Sequence, residues 1–359
     1  MKYLQLLLLL ILGVNLHAEQ LYKWAVIGAG PAGIISIAQL LEHGVNDHDI
    51  VWIDPEFATG RLGKYYGNVP SNQKAYRFTS FLEKSTIFAN FDSPAIQAIK
   101  ACNQQQEHPL QLAVDALNDI TNYLRTQVIS MQTTVQALES EPDKFSNNWR
   151  LTINQPAQAK ILAQKVILAV GAHPKTLNYK NITEIPLDLA LDETKLSTFI
   201  TTNDTVMVIG SAHSALLIVK YLHDFGVKKI INLYTKEPTF KRTGELEGIT
   251  AYWAQYVLLQ THPANIERVL FDPKTISLYL AQSTKIIYAF GYEPNKILVN
   301  GLTHLTCDQA TGVIQKKLYG IGIAFPEIEQ NKDGSCEKAI GLHAFIDRIK
   351  QLMPAWLQK

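Results

Sequence analysis

Short apolar runs alternate with longer stretches of helical pattern along this chain. Lys23–Ile27 and Ile50–Ile53 are compact and rich in β-formers, and Ile34–Leu41 between them has helical character. The same order of strand, helix and strand returns at Thr205–Ile209, Leu216–Phe225 and Lys229–Tyr234. Ala75–Ser85, Pro94–Ala101, Leu110–Ile129 and Ala339–Leu352 also read as helices. Val135–Glu139, Trp149–Asn154, Lys160–Val170 and the start of 285–295 read as strands. Strands spaced by helices predict an α/β fold with parallel sheets, and 359 residues allow two domains.

Glycine marks both strand–helix junctions. Gly28-Ala29-Gly30-Pro31-Ala32-Gly33 follows the first strand at once and matches the G-x-G-x-x-G dinucleotide fingerprint of a Rossmann-like unit. Gly28 permits the tight turn, Gly30 lets the backbone approach a pyrophosphate, and Gly33 lets helix and strand pack closely. Pro31 and Ala32 complete the turn, and the helix beyond offers free N–H groups to phosphate. Asp54, with Pro55 after it, ends the next strand about 20 residues on, where a ribose hydroxyl takes an acid. The second unit reads Gly210-Ser211-Ala212-His213-Ser214-Ala215, with Ala212 and Ala215 in place of the second and third glycines. His213 is placed to reach a pyrophosphate or to cap the helix. No acid ends the strand at Tyr234-Thr235; Lys236 follows, then Lys241 and Arg242, cations that suit a 2′-phosphate and predict NADPH rather than NADH.

The first residues differ from the rest. A basic start, Met1-Lys2, an apolar stretch, Leu4–Leu16, and Leu16-His17-Ala18 read as a secretory signal peptide over residues 1–18. The alternative is an uncleaved membrane anchor, although the stretch is shorter than the ~20 residues of a span. The mature chain is thus expected to be exported, periplasmic or secreted, with no membrane span. A formal net charge of +1 without a basic run gives nucleic acid no footing. Cys102, Cys307 and Cys336 are far apart, with no C-x-x-C, so a disulfide framework is excluded by number and no spacing points to a structural zinc site. Buried inert thiols are the default, with a 307–336 disulfide open outside the cytoplasm. Asp115 and Asp119, four apart on a helix, read as a solvated face, and no metal-ligand cluster or serine nucleophile elbow is found. Pro55, Gly60, Gly63, Gly67 and Pro70 make a long irregular loop, a length that usually marks function.

Together these pieces resemble the flavoproteins with two dinucleotide-binding domains, the superfamily of pyridine nucleotide–disulfide reductases and flavin-containing monooxygenases. The likeness covers nearly everything from Tyr22 onward, and it implies FAD at the first fingerprint and NAD(P)H at the second. Ala169-Val170-Gly171 and Ala289-Phe290-Gly291 are similar to the two crossovers between domains. They imply two Rossmann-like FAD- and NAD(P)-binding domains: residues 20–174 and 291–359 bind FAD, and the nicotinamide domain, 175–290, is inserted between them. The stretch 60–72 resembles the loop over the flavin. Gly60 and Arg61, with Lys64, then approach the FAD phosphates or stay in a solvated loop, and Tyr65 and Tyr66 pack on the flavin or in the core. Asn68, with Asn72 as its rival, takes the place of the monooxygenases' asparagine beside flavin and nicotinamide, or only shapes its turn. Gly320–Glu327, including Gly322, stands where the reductases carry a C-terminal glycine–aspartate pair.

With no cysteine pair to receive electrons, the resemblance implies an FAD-dependent NADPH oxidoreductase of monooxygenase type. It would pass electrons to oxygen and a small amine- or sulfur-containing substrate. The alternatives are a reductase of an external disulfide or quinone, and a flavin- or nucleotide-binding protein without turnover, since fold does not fix function.

Overall fold

The computed structural model describes residues 20–142, 147–154, 160–238, 248–330, 334 and 336–358. The expected signal peptide, Lys241 and Arg242 lie outside them.

Two sheets carry the strands on which the glycine turns sit. In the nine-stranded sheet the parallel part runs Ile129–Gln132, Ile50–Asp54, Leu21–Ile27, Lys160–Leu168 and Leu318–Gly320 in spatial order. Lys160–Leu168 divides its outer edge between two neighbours. Its first half pairs antiparallel with Asn147–Ile153 and its second half parallel with Leu318–Gly320. Val135–Pro142 and Leu298–Val299 extend the sheet beyond the antiparallel partner. The central strand is apolar on both faces, as a doubly covered parallel strand must be. Trp24 and Val26 pack with helices Pro31–Glu42, Gln111–Gln127 and Leu342–Gln358, while Tyr22, Ala25 and Ile27 pack with Trp149, Leu151 and Leu138.

The second sheet is parallel throughout, in the order Thr183–Glu184, Lys285–Tyr288, Thr205–Ile209, Lys229–Tyr234 and Ile266–Leu270. Period-2 alternation sorts its residues between two cores. Val206, Val208, Ile230 and Ile287 join the core of helix His213–Phe225, and Met207, Ile209, Ile231 and Leu233 join the other. The connections between the sheets lie side by side. Ala172–Pro174 pairs antiparallel with Tyr292–Pro294, Lys175 N–H donates to Gly291 O (3.0 Å), and Asn295 N–H donates to Gly171 O (3.0 Å).

Most expected elements form within a few residues of their expected bounds. The last helix is Leu342–Gln358 rather than Ala339–Leu352, because Ala339 closes a hairpin of Glu327–Gln330 with Cys336–Ala339. The helix also runs through Pro354, a residue that ordinarily stops one. Met353 and Trp356 are buried on the first core, and that burial outweighs the lost N–H. Short helices at Thr86–Asn90, Leu187–Ala190 and Glu193–Ser197 were not anticipated, nor was the helical run from Gly248–Trp253 through a π-helical turn to Leu259–Thr261. Among the described residues no helix is long and apolar enough to cross a membrane, and no group of side chains could hold a metal ion.

Candidate functional site

In-register strands bring Gly28, Asp54 and Ala169 to one edge of the first sheet. Gly28 turns the chain out of its strand at φ +108°, and its N–H donates to Ile53 O (2.8 Å). A Cβ at Gly28 would collide with the Ala169 carbonyl oxygen, and one at Gly33 with the Gly28 carbonyl oxygen. Helix Pro31–Glu42 starts from Gly30 with no side-chain cap and no acid in its first turn, so its N–H groups and positive end stay open to an anion. Two further glycines close around this end. A Cβ at Gly60 would lie 2.9 Å from Gly30 Cα, and one at Gly322 would lie 2.7 Å from Ala32 Cβ. Three segments far apart in sequence thus present bare backbone to one helix terminus, and a dinucleotide pyrophosphate fits that cradle.

Asp54 holds the cradle in shape. Its Oδ2 accepts Ala29 N–H (2.7 Å), and its Oδ1 accepts the N–H groups of Glu56 (2.8 Å) and Phe57 (2.6 Å). The expected ribose acid is therefore buried and already occupied at three of about four acceptor sites, while Pro55 is exposed. Phe57, Thr59 and Gly60 all have positive φ, at 52°, 57° and 61°, a costly run for side-chain-bearing residues. Packing holds it. Trp52 meets Phe57 edge-on at 5.1 Å, the Arg125 guanidinium lies 4.4 Å from the Phe57 ring centre, and buried Thr59 bonds Asn118.

Where a long irregular loop was expected, a short helix, Gly60–Tyr65, starts at the cradle, and with the residues after it reaches toward the second sheet's connector. Arg61 pairs with Asp188, and Tyr66 Oη donates to Asp188 Oδ1 (2.6 Å) and lies 3.0 Å from Tyr292 Oη. Asn68 is exposed and donates to Asp192 Oδ2 (3.0 Å). Burial, then the neighbouring Tyr292 and Asp188, hold the Tyr66 phenol well above its ordinary range, so it stays protonated. Burial alone would raise Asp192, but Asn68 and Lys195 outweigh it and hold the carboxyl below its usual range. Tyr65 lies under Arg61 (5.0 Å), and Lys64 pairs with Glu56. Nothing in the sequence pointed to Asp188, Asp192 or Tyr292.

The second turn repeats the first. Gly210 has φ +135°, its N–H donates to Leu233 O (2.8 Å), and a Cβ there would collide with the Ala289 carbonyl oxygen, as at Gly28 and Ala169. Ala215 is fully buried at the place of the third glycine, and Ser211 and Ser214 are half-buried beside it. Helix His213–Phe225 has no side-chain cap, so His213 does not cap it. Its Nδ1 is buried without a hydrogen-bond partner, and burial pushes the imidazole down to about 4. Two residues were missed. Fully buried Asn232 donates to Gly210 O (2.8 Å), and its polarity amid Ile230, Ile231 and Leu233 is a readable anomaly. Arg268 lies 3.4 Å from Asn232 Oδ1, donates to Glu237 (2.7 Å) and sits 4.2 Å over the Tyr234 ring. Lys236 is exposed, and Gly171 and Gly291 lie in the paired connections at φ +71° and +108°. All three cysteines are free, and burial raises the thiols of Cys102 and Cys307.

His213 gives the fold an acid-sensitive point. Its folded pKa, about 4, lies below the unfolded value near 6.5. The unfolded chain therefore binds the proton first, and stability falls as pH drops from 6.5 toward 4. The loss is about 3 kcal/mol at pH 4. His213→Gln should remove that part of the acid slope in urea titrations at pH 7 and pH 4.5. An unchanged slope would place the loss in other groups.

Residues 22–257 match the family model for pyridine nucleotide-disulphide oxidoreductases. The chain is 26% identical over 391 residues to the monooxygenase AgnR1 of Paecilomyces divaricatus, across 95% of this chain and 100% of that one. In fold it is similar to ornithine N-hydroxylase of Kutzneria sp. 744, with a TM-score of 0.64 and 12% identity over 94% of this chain and 99% of that one. It is also similar to thioredoxin reductase of Lactococcus lactis, at 0.59 and 12% over 94% and 98%. Identities this low carry the fold and leave the reaction open. With two glycine turns of one design at two sheet edges and a family match that spans both, the chain is an oxidoreductase and belongs to the pyridine nucleotide-disulphide oxidoreductase family.

Proposed function

We propose that this chain is an FAD- and NADPH-dependent oxidoreductase of monooxygenase type, acting on a small nucleophilic substrate, an amine or a sulfur compound. The observation that carries it is the pair of uncapped fingerprint helices in a chain whose cysteines, Cys102, Cys307 and Cys336, form no C-x-x-C to take electrons internally. AgnR1, a monooxygenase, and the Kutzneria N-hydroxylase, solved with reduced FAD, NADP+ and L-orn, support the same reading. In it, residues 20–174 and 291–359 form the FAD lobe and 175–290 the nicotinamide lobe.

Bound flavin would supply two-electron transfer between the nicotinamide and an acceptor. The backbone at Gly30, Gly60 and Gly322 and the first turn of Pro31–Glu42 would hold the FAD diphosphate, with Asp54 keeping that backbone in place. Gly210–Ala215 would hold the NADPH diphosphate, and neutral His213 offers its unpartnered Nδ1 there. Lys236 supplies positive charge for a 2′-phosphate, while Glu237 beside it is neutralised by its ion pair with Arg268. The protonated phenols of Tyr66 and Tyr292 line the contact between the lobes and add no charge to it. Asn68, tied to Asp192, sets how the loop over the flavin meets the nicotinamide lobe.

Protein reconstituted with FAD should oxidise NADPH in air with kcat/KM about tenfold or more above that for NADH, the worth of one charge-assisted bond. A small amine or thioether should accelerate it and leave as the oxygenated product. Equal kcat/KM for the two nucleotides would overturn the NADPH assignment, and faster electron delivery to a quinone or an external disulfide would move the chain to the reductase alternative.

A further inference from the structure

Asp188 lies in the helix Leu187–Ala190, on the connector of the second sheet, yet its carboxylate holds two side chains of the first. One is Arg61, the residue after Gly60, whose backbone meets Gly30 in the cradle. The pair uses Arg61 Nη2, and Arg61 Nε is buried with no hydrogen-bond partner. The Tyr65 ring, 5.0 Å from the guanidinium carbon, further restricts the fork. The other is Tyr66, whose hydroxyl also meets Tyr292 on the returning connection. One buried carboxylate therefore gathers a cation and a phenol from the loop and, through the phenol, the strand that leads back to the first sheet.

We infer that Asp188 is a positioning residue for the dinucleotide site of the opposite lobe: it orients Arg61 beside the Gly30–Gly60 cradle and leaves Nε as the donor for a diphosphate, an inference that rests on FAD at that cradle. A free arginine has many rotamers to lose on binding phosphate, and its planar fork keeps two anions apart when it bridges them. The negative charge of Asp188 is already offset by Arg61 and shared with Tyr66, which limits its repulsion of a diphosphate. Reciprocity follows. If Asp188 tightens FAD, then FAD tightens the docking of the 187–192 connector by the same factor.

The test uses full-length apoprotein, with FAD affinity read from quenching of flavin fluorescence and amide hydrogen exchange followed over residues 187–192. Asp188→Asn, which keeps size and one acceptor, should raise the FAD Kd about tenfold, within the usual span of such couplings. FAD should slow exchange at the connector in the wild type and not in the variant. Arg61→Lys keeps the charge, loses the fork and should behave alike, and it carries the test if Asp188→Asn does not fold. Tyr66→Phe should change the Kd less. A wild type that binds no FAD would overturn the cofactor reading itself. A wild type that binds FAD, with Kd and exchange unchanged in both variants, would overturn this inference alone.

Discussion

Gly33→Ala should yield a colourless and destabilised protein. The added Cβ would fall on the Gly28 carbonyl oxygen, and neither partner can step aside. Gly28 is held by the bonds of its N–H to Ile53 O and of Trp52 Nε1 to its own carbonyl (2.9 Å). The helix is held by Ile34, Ile35 and Ile37, all fully buried. No side-chain rotation relieves a collision between two backbones, so the helix must shift against its core. A cost on the order of 3–5 kcal/mol follows, in the exceptional range for a single substitution. Thermal melting should fall by roughly 10 °C, and flavin should be lost on purification. Gly30→Ala is the companion. Its Cβ would meet nothing nearer than Gly60 Cα at 3.9 Å, so it should melt like the wild type and lose only flavin. A yellow Gly33→Ala protein with unchanged melting would contradict the close packing at this turn.

Asp54→Asn should be nearly as damaging, for an electrostatic reason. Every contact to this carboxylate is a donor: Ala29 N–H on one oxygen, Glu56 and Phe57 N–H on the other. An amide must turn its NH₂ toward one of these sets, leaving at least one buried N–H facing another donor. Charge-assisted bonds contribute about 1.5–3 kcal/mol each, and an orphaned buried donor adds its own penalty, so a loss of about 3–4 kcal/mol is expected. The positive-φ run through Phe57, Thr59 and Gly60 depends on the same anchor, so hydrogen exchange at Glu56 and Phe57 should accelerate. An unchanged urea midpoint together with protected amides at both residues would show that Asp54 is not the anchor.

The glycine turns were legible in the sequence because their constraint is local. A strand that must leave its sheet beneath another carbonyl leaves no room for a Cβ, and only glycine meets that at Gly28 and Gly210. The two crossovers, Ala169-Val170-Gly171 and Ala289-Phe290-Gly291, were also visible, and the strands that follow them, Ala172–Pro174 and Tyr292–Pro294, pair with each other. Asp54 was legible as the last residue of its strand, but its three backbone donors were not. Periodicity shows where a strand ends, not which three N–H groups converge on its last side chain. Asp188 and Arg268 were invisible for the same reason. Each acts on a residue more than 30 positions away, Asp188 on Arg61 and Arg268 on Glu237 or Asn232, through contacts that exist only once strands lie side by side. The last helix runs past Leu352, its expected end, because Trp356, beyond Pro354, belongs to the core.

The ribbon of Ala172–Pro174 and Tyr292–Pro294 has a consequence for ancestry and engineering. A segment that enters and leaves through neighbouring strands has its two ends together, so excising, replacing or duplicating it requires no rethreading of the host. The host's strand Lys160–Leu168 and its neighbour Leu318–Gly320 are hydrogen-bonded to each other on the far side of that insertion, so the host sheet is continuous without it. Such a chain is a ready acceptor for a foreign module at a single seam, closed on the host side by Gly171 with Asn295 and on the inserted side by Lys175 with Gly291.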